Sequence, residues 1–215
     1  MTRTRPPSLT VALHLDRRRC VVVGGGHVGV RRALQMSASG GEVVVVSPEV
    51  WPASNADRLT QAGVVWEARA YRAGDLDGAF LAVAATGRSD VDRTVIADAA
   101  AAGILVNHVG DALSGDLSFV ATSDVGHISV SVSTDGRTPV LTRWIRDHLA
   151  AEVSDGYPAL VEMFADARDA LRAAGRPTNH PGWDAALESG LLERVRAGDT
   201  EAARRELHTH LGLAP

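Results

Sequence analysis

The sequence predicts an α/β protein: a doubly wound parallel sheet, then a small β unit, then a C-terminal helical region. Three observations predict it. Short β-branched runs alternate with helical patterns through the first half of the chain, the alternation that builds a parallel sheet covered on both faces. The stretch Cys20–Leu34, CVVVGGGHVGVRRAL, joins an apolar run to an amphipathic helix through a glycine-rich turn. After Gly110 the alternation stops, and two short strands precede a chain that reads as helical.

Val11–Leu15 reads as a short strand, with a turn at Asp16–Arg19. Cys20–Val23 is the first strand of the sheet. Gly24, Gly26 and Gly29 then make the spacing G-x-G-x-x-G. The first permits the tight turn, the second lets the backbone approach a pyrophosphate, and the third lets the helix pack on the strand. N–H groups at the helix start face the phosphates. A strand before and a helix after supply the context that gives this spacing its meaning, a Rossmann-like dinucleotide site. Val28–Ser39 is the helix, ended by Gly40–Gly41. Glu42–Val46 is a second buried strand, Pro48–Gly63 carries a short helix and a turn, and Val64–Ala68 is a third strand. A turn at Asp75–Leu76 leads to Ala79–Ala84, the fourth. Ser89–Ala102 is a helix with Ser89 as N-cap candidate and Val91, Val95, Ile96 and Ala99 on one face. Gly103 stops it before Ile104–Asn107, the fifth strand. Leu117–Thr122 and His127–Ser133 read as an antiparallel pair joined through Ser123–Gly126. Thr138–Pro139 is a cap followed by proline at the first helical position, and Leu141, Trp144, Ile145, His148 and Leu149 follow at helical spacing. Ala159–Ala173, Trp183–Arg196 and Thr200–Leu211 are the remaining helices. The two-stranded unit cannot bury both faces alone, which predicts pairing with a second subunit.

With 215 residues and 45% hydrophobic content the chain can bury a core. A net charge of -4 without any basic block argues against a general nucleic-acid binder. No apolar run approaches the ~20 residues of a membrane span, and MTRTRPPSLTVALHL has no apolar leader core; a cytoplasmic protein with no membrane contact is expected. The single cysteine, Cys20, cannot form an internal disulfide and reads as a buried hydrophobe. His108, His127, His148, His180, His208 and His210 are scattered without zinc-site spacing, so no structural metal is expected. Trp51, Trp66, Trp144 and Trp183 read as core or interface anchors.

Gly24, Gly25, Gly26, His27, Val28 and Gly29 are the residues expected along the pyrophosphate. Ser47, Pro48 and Glu49 lie just past the second strand, where an acidic residue holds the adenine ribose hydroxyls. Glu49 stands two positions later than ideal, and no arginine occupies the loop to meet a 2′-phosphate, which leans towards NAD over NADP. Thr86, at the end of the fourth strand, is either a contact to the nicotinamide half or an ordinary turn hydroxyl. Asp111, just past the fifth strand, lies where open α/β sheets bind ligands. It is either a proton acceptor or an aspartate capping its own turn. Ser133, Thr134, Asp135, Gly136 and Arg137 form a polar turn that, with Arg143 or Arg146, either holds substrate carboxylates or is a solvated turn.

Several segments together resemble one family, the siroheme-synthase dehydrogenase/ferrochelatase family. PPSLTVALHLDRRRCVVVGGGHVGVRRA resembles its opening, and VVVVSPE (Val43–Glu49) its second strand and cofactor loop. AVAATGRSDVDRTV (Ala82–Val95), NHVGD (Asn107–Asp111) and SVSVSTDGRTPVLTRWIRDHL (Ser129–Leu149) resemble its later motifs, and these are more specific than the glycine spacing. The resemblance implies NAD-dependent oxidation of precorrin-2, a polycarboxylate tetrapyrrole, to sirohydrochlorin. In bifunctional members the same cleft receives Fe²⁺, and Co²⁺ for a cobalamin route fits equally. Asp111 maps to the residue both activities need. The spacing from Asn107 to Phe119 is two residues longer than the family pattern, and Asp116 is the alternative. Asn107, His108, Ser133, Thr134, Gly136 and Arg137 are the implied substrate contacts, and Trp183 is a candidate wall for the flat macrocycle. A homodimer is implied, with residues 1–112 binding NAD, 113–150 forming the dimerisation β unit and its helix, and 151–215 helical. A separate uroporphyrinogen methyltransferase is expected to supply the substrate. Two alternatives stand: a dehydrogenase without chelatase activity, and a non-enzymatic NAD-binding regulatory module.

Overall fold

The structure, a computed structural model, describes residues 8–111 and 113–214. The chain divides into two compact units, one ending at Phe119 and the other starting at Val120.

The first unit is built on a parallel sheet of β1 (Arg19–Val23), β2 (Glu42–Val46), β3 (Val65–Glu67), β4 (Leu81–Ala84) and β5 (Leu105–His108). Their spatial order is β3-β2-β1-β4-β5, so the chain reverses its direction of travel across the sheet between β1 and β4. Helices α1 (His27–Ala38), α2 (Asn55–Gln61) and α3 (Ser89–Ala102) connect the strands. Side chains alternate along each strand, and both faces are apolar. Cys20, Val22, Val43, Val45, Leu81 and Val83 pack with Val30, Ala33 and Met36 of α1 and Leu59 of α2. Val21, Val23, Val44, Val46, Ala82, Ala84 and Val106 pack with Val95 and Ala99 of α3. Each fully buried valine contributes about 1.5–3 kcal/mol to stability. Burial also pushes the Cys20 thiol up to about 11, in keeping with a packing role.

The ladder registers put Glu67, Val46, Val23, Ala84 and His108 in one row at the carboxyl edge of the sheet. Each segment singled out in this unit's sequence leaves from this row. Beyond β5 the chain turns back along the sheet's flank. There the Asp116 and Leu117 N–H groups donate to the Val106 carbonyl, at 2.8 and 3.4 Å. Val106 N–H in turn donates to Asp116 Oδ2 at 3.0 Å.

The second unit opens with β6 (Ala121–Val125) and β7 (Ile128–Val132), an antiparallel hairpin. Helix α4 (Pro139–Ser154) packs on both strands. Then α5 (Tyr157–Ala173), α6 (Gly182–Glu188), α7 (Leu191–Arg196) and α8 (Thr200–Leu211) close around Leu160, Met163, Ala167, Leu171, Ala186, Leu191, Ala203, Leu207 and Leu211.

Several expectations change, among them the first hairpin strand, which runs over Ala121–Val125 instead of Leu117–Thr122, so that Ser123–Val125 are strand and not connection. Val11–Leu15 forms no strand: Leu9, Val11 and Leu13 are exposed and only Leu15 is buried. Its alternating pattern is genuine, but β1 is already paired on both sides by β2 and β4. The helix expected over 183–196 is two helices, because Gly190 takes φ 86°, a left-handed conformation that stops α6 before α7 begins. Trp51 and Trp144 are 63% and 61% exposed, which leaves only the interface half of the core-or-interface expectation for them. The outward face of the hairpin carries Thr122, Asp124, Ser129 and Ser131, which suit water, so the need to cover two apolar faces does not arise.

Candidate dinucleotide and substrate site

The three motif glycines meet three different environments. Gly24 has φ 118°, and a Cβ there would lie 2.3 Å from the Ala85 carbonyl oxygen. A Cβ on Gly29 would lie 2.1 Å from the Gly24 carbonyl oxygen, so α1 can seat on β1 only without a side chain there. Gly26 is the reverse case: a Cβ would meet nothing within 4 Å, since it would project into open space. Gly26 is the N-cap of α1, no side chain caps the helix, and its first turn holds no acidic residue. The first N–H groups of the helix and its positive end are therefore available to an anion. The residues fit a pyrophosphate: a bare backbone surface, an uncapped helix start and no competing carboxylate.

The loop after β2 is stitched to this turn. Ser47 is buried, and its hydroxyl accepts from Gly25 N–H at 3.0 Å and donates to the Glu49 carbonyl at 2.7 Å. Its carbonyl accepts from the Trp66 indole N–H at 2.9 Å. Trp51 N–H donates to the Gly25 carbonyl at 2.9 Å, and the Trp51 ring meets His27 edge-on with centroids 4.6 Å apart. Ser47 thus shapes the loop, while the Pro48, Glu49 and Trp51 side chains stand exposed beside the turn. At the far end of this side, Arg69 binds Glu67 and makes two 2.8 Å bonds to buried Asp75. The Arg69 bonds hold the Asp75 carboxyl below the usual carboxylate range, burial opposes them, and Arg72 N–H adds to them.

On the other side of the reversal point, Thr86 closes the turn into α3. Its N–H and hydroxyl both donate to Asp92 Oδ1, at 3.1 and 2.7 Å. Asp92 is 3% exposed, and its Oδ2 lies 3.8 Å from His108 Nε2. His108 Nδ1 is 2.7 Å from Ser114 Oγ. Asp111 sits in the loop between, with Oδ1 accepting from Leu113 N–H at 2.9 Å and its carbonyl accepting from Ser114 N–H at 3.1 Å. Asn107 is buried, and its amide donates to the Leu117 carbonyl at 2.9 Å, which supports the returning segment. Asp116 supports the same segment through Val106, as described above.

The structure therefore brings Gly24–Gly29, Ser47–Glu49, Thr86 and Asn107–Asp111 to one edge of one sheet. Ser133, Thr134, Gly136 and Arg137 belong to the second unit, in a turn where Asp135 and Gly136 have φ 51° and 76°. There Thr134 and Thr142 share a 2.6 Å hydroxyl–hydroxyl bond, and Arg137 is exposed. Trp183 stacks on Phe164 with centroids 5.2 Å apart, beside a hollow lined also by Ala165, Arg168 and Thr178. Sequence reasoning missed Asp92, Ser114 and the placement of Trp51. The signal for Asp92 was present: it shares a helix face with Val95 and Ala99, an acid on an apolar stripe.

A parallel sheet of this order, with a glycine turn and an uncapped helix at its reversal point, defines a dinucleotide-binding α/β protein. The NAD_binding_7 model, an NAD(P)-binding family, matches residues 11–121; the chain belongs to that family. The siroheme synthase of Chromobacterium violaceum is 37% identical over 203 residues, covering 94% of this chain and 43% of that protein. The siroheme synthase of Methylobacillus flagellatus is 31% identical over 202 residues, covering 93% of this chain and 43% of that protein. This chain thus spans less than half the length of these curated relatives. The solved structure of "SirC, precorrin-2 dehydrogenase" matches with TM-score 0.67 at 23% identity, covering 94% of this chain and all of that one.

Proposed function

We propose that the chain is an NAD-dependent dehydrogenase that converts precorrin-2 to sirohydrochlorin. The observation that carries this reading is the row of strand ends Glu67–Val46–Val23–Ala84–His108. It sets an anion-ready glycine turn and the Asp111 loop on the same sheet edge, two strands apart, or about 10 Å. The names of the relatives supply the substrate class: siroheme synthases over 94% of this chain, and a fold neighbour titled a precorrin-2 dehydrogenase.

In this reading the first N–H groups of α1 hold the pyrophosphate above the Gly24–Gly29 turn, with His27 and Val28 beside it, while the Gly24 and Gly25 N–H groups donate to Val46 and Ser47. Glu49 takes the adenine ribose hydroxyls, and the Arg69 guanidinium, just past β3, is engaged by Glu67 and buried Asp75, which favours NAD over NADP. Bound NAD⁺ supplies a hydride acceptor. Removing two hydrogens from the substrate also releases a proton, and the Asp111 carboxylate takes it. Leu113 N–H fixes the orientation of that carboxylate through Oδ1. General base catalysis of this kind is worth about 10²–10⁴-fold. Ser133, Thr134, Gly136 and Arg137 are the proposed carboxylate contacts in the second unit. The proposed homodimer uses α4, where Val140, Leu141 and Trp144 are 73%, 49% and 61% exposed.

The test is incubation with precorrin-2 and NAD⁺, with and without Fe²⁺, for wild type and Asp111→Ala. NADH formation lost in Asp111→Ala, with NAD binding by calorimetry intact, supports the reading. No NADH from the wild type overturns it. Spectral conversion to siroheme only when Fe²⁺ is present adds chelation, with the metal as substrate; its absence leaves dehydrogenation alone.

A further inference from the structure

We infer that His108 is a positioning residue that ties the Asp111 loop to the turn between β4 and α3. The inference rests on the reading of Asp111 as proton acceptor. His108 is the last residue of β5 and pairs with Ala84, the last of β4. One more ladder bond follows, from Val109 N–H to the Ala84 carbonyl at 3.0 Å. Past it the two chains diverge, one into the Thr86 turn and the other into the loop carrying Asp111, and a side chain joins them.

That side chain is the His108 imidazole, whose side chain is 12% exposed. Nε2 faces Asp92 Oδ2 at 3.8 Å, and Nδ1 meets Ser114 Oγ at 2.7 Å. The Ser114 hydroxyl donates to the Asp111 carbonyl at 3.1 Å, so its oxygen accepts from His108 Nδ1–H, while the Asp92 carboxylate stands beyond hydrogen-bond length from Nε2. Each partner is tied to one of the two loops. Asp92 is 3% exposed, and its other oxygen accepts both the N–H and the hydroxyl of Thr86. Ser114 N–H donates to the Asp111 carbonyl. The path Thr86–Asp92–His108–Ser114–Asp111 thus sets the height of Asp111 relative to the Thr86 turn. Without His108, the Asp111 turn keeps its internal bonds, from Leu113 N–H, Ser114 N–H and the Ser114 hydroxyl, but loses this link to the sheet edge. Room is limited there too: a Cβ on Gly110 would lie 3.3 Å from His108 Nε2, so the ring and the loop backbone are in close register. A misplacement of about 1 Å at a reacting group costs up to about 10²-fold in rate.

His108→Val removes both arms, and His108→Asn keeps a polar atom near the Nδ1 position for Ser114. Both are measured beside Asp111→Ala for NADH formation, NAD binding by calorimetry, and amide exchange at Leu113 and Ser114. The expected result for His108→Val is kcat lowered about tenfold, KM and the NAD Kd within about twofold, and Leu113 and Ser114 exchange accelerated at least about fivefold. His108→Asn recovers most of both losses. A His108→Val protein with wild-type kcat and unchanged exchange, alongside an inactive Asp111→Ala, overturns the inference and leaves the Asp111 reading standing. An active Asp111→Ala overturns that reading instead, and the exchange data still decide whether His108 holds the loop. If His108→Val does not fold, His108→Gln decides, because its amide reaches towards Asp92 but leaves the Nδ1 contact to Ser114 unmade: altered exchange or kcat supports the inference, and wild-type values for both overturn it.

Discussion

At the scale of single residues, Gly26 and Gly29 separate binding from folding within one motif. Gly26 has φ -75° and empty space where a side chain would go, so Gly26→Ala should fold with an unchanged melting temperature. The added methyl fills the surface offered to the pyrophosphate, so NAD affinity should fall at least about tenfold. Gly29→Ala has no such room, with 2.1 Å to a backbone oxygen, and should cost about 1–3 kcal/mol of stability in urea unfolding. Asp75 gives a pH prediction. Its folded carboxyl lies below the unfolded value, so its contribution is complete above about pH 4 and is lost as pH falls through the lower folded value. Wild type should exceed Asp75→Asn in stability by about 2 kcal/mol at pH 7. Unfolding curves below pH 4 should show that difference shrinking. The geometry of the glycine turn was legible because Gly24 and Gly29 are nearly dictated by the close approach each makes. The roles of Ser47 and Asn107 were not. Sequence position placed both beside the ligand, but their partners, Gly25 and Leu117, come from elsewhere in the chain, and no local pattern announces such bonds.

At the scale of elements, the buried strands and α3 were readable because apolar period and glycine stops agree. Ser89–Ala102 was predicted with the bounds observed, although its N-cap is Arg88, without a side-chain cap bond, and Asp92 holds the Thr86 turn that precedes it. The errors fall where a pattern lacks a partner or a breaker is overlooked. Leu9, Val11 and Leu13 alternate like a strand but find no free edge beside β1. Gly190 interrupts an amphipathic run that looks continuous on paper. With φ 86° and no close backbone neighbour at the Cβ position, Gly190→Ala should lower stability by about 1 kcal/mol through backbone strain alone. A matching loss of melting temperature with unchanged NAD binding checks that.

At the scale of the whole molecule, ligand and assembly become visible in stability. NAD at 100 times its Kd should stabilise the folded chain by about 2.7 kcal/mol, raising the melting temperature by about 5–10 °C. The proposed dimer predicts a second signature. On α4, Leu141, Trp144 and His148 recur at helical spacing, and the Trp144 and His148 rings stack with centroids 5.3 Å apart. Trp144→Arg should shift sedimentation from dimer to monomer; a monomeric wild type would remove the basis of that proposal.

The segment returning along β5 has a further consequence. A parallel sheet whose last strand offered open N–H and C=O groups could recruit a strand from any neighbouring molecule. Here both polar groups of Val106 are answered, the amide by the Asp116 side chain and the carbonyl by backbone. Asp116 then acts as a guard against edge-to-edge polymerisation: its replacement by alanine should leave catalysis intact in fresh protein and shorten the time that concentrated solutions stay clear.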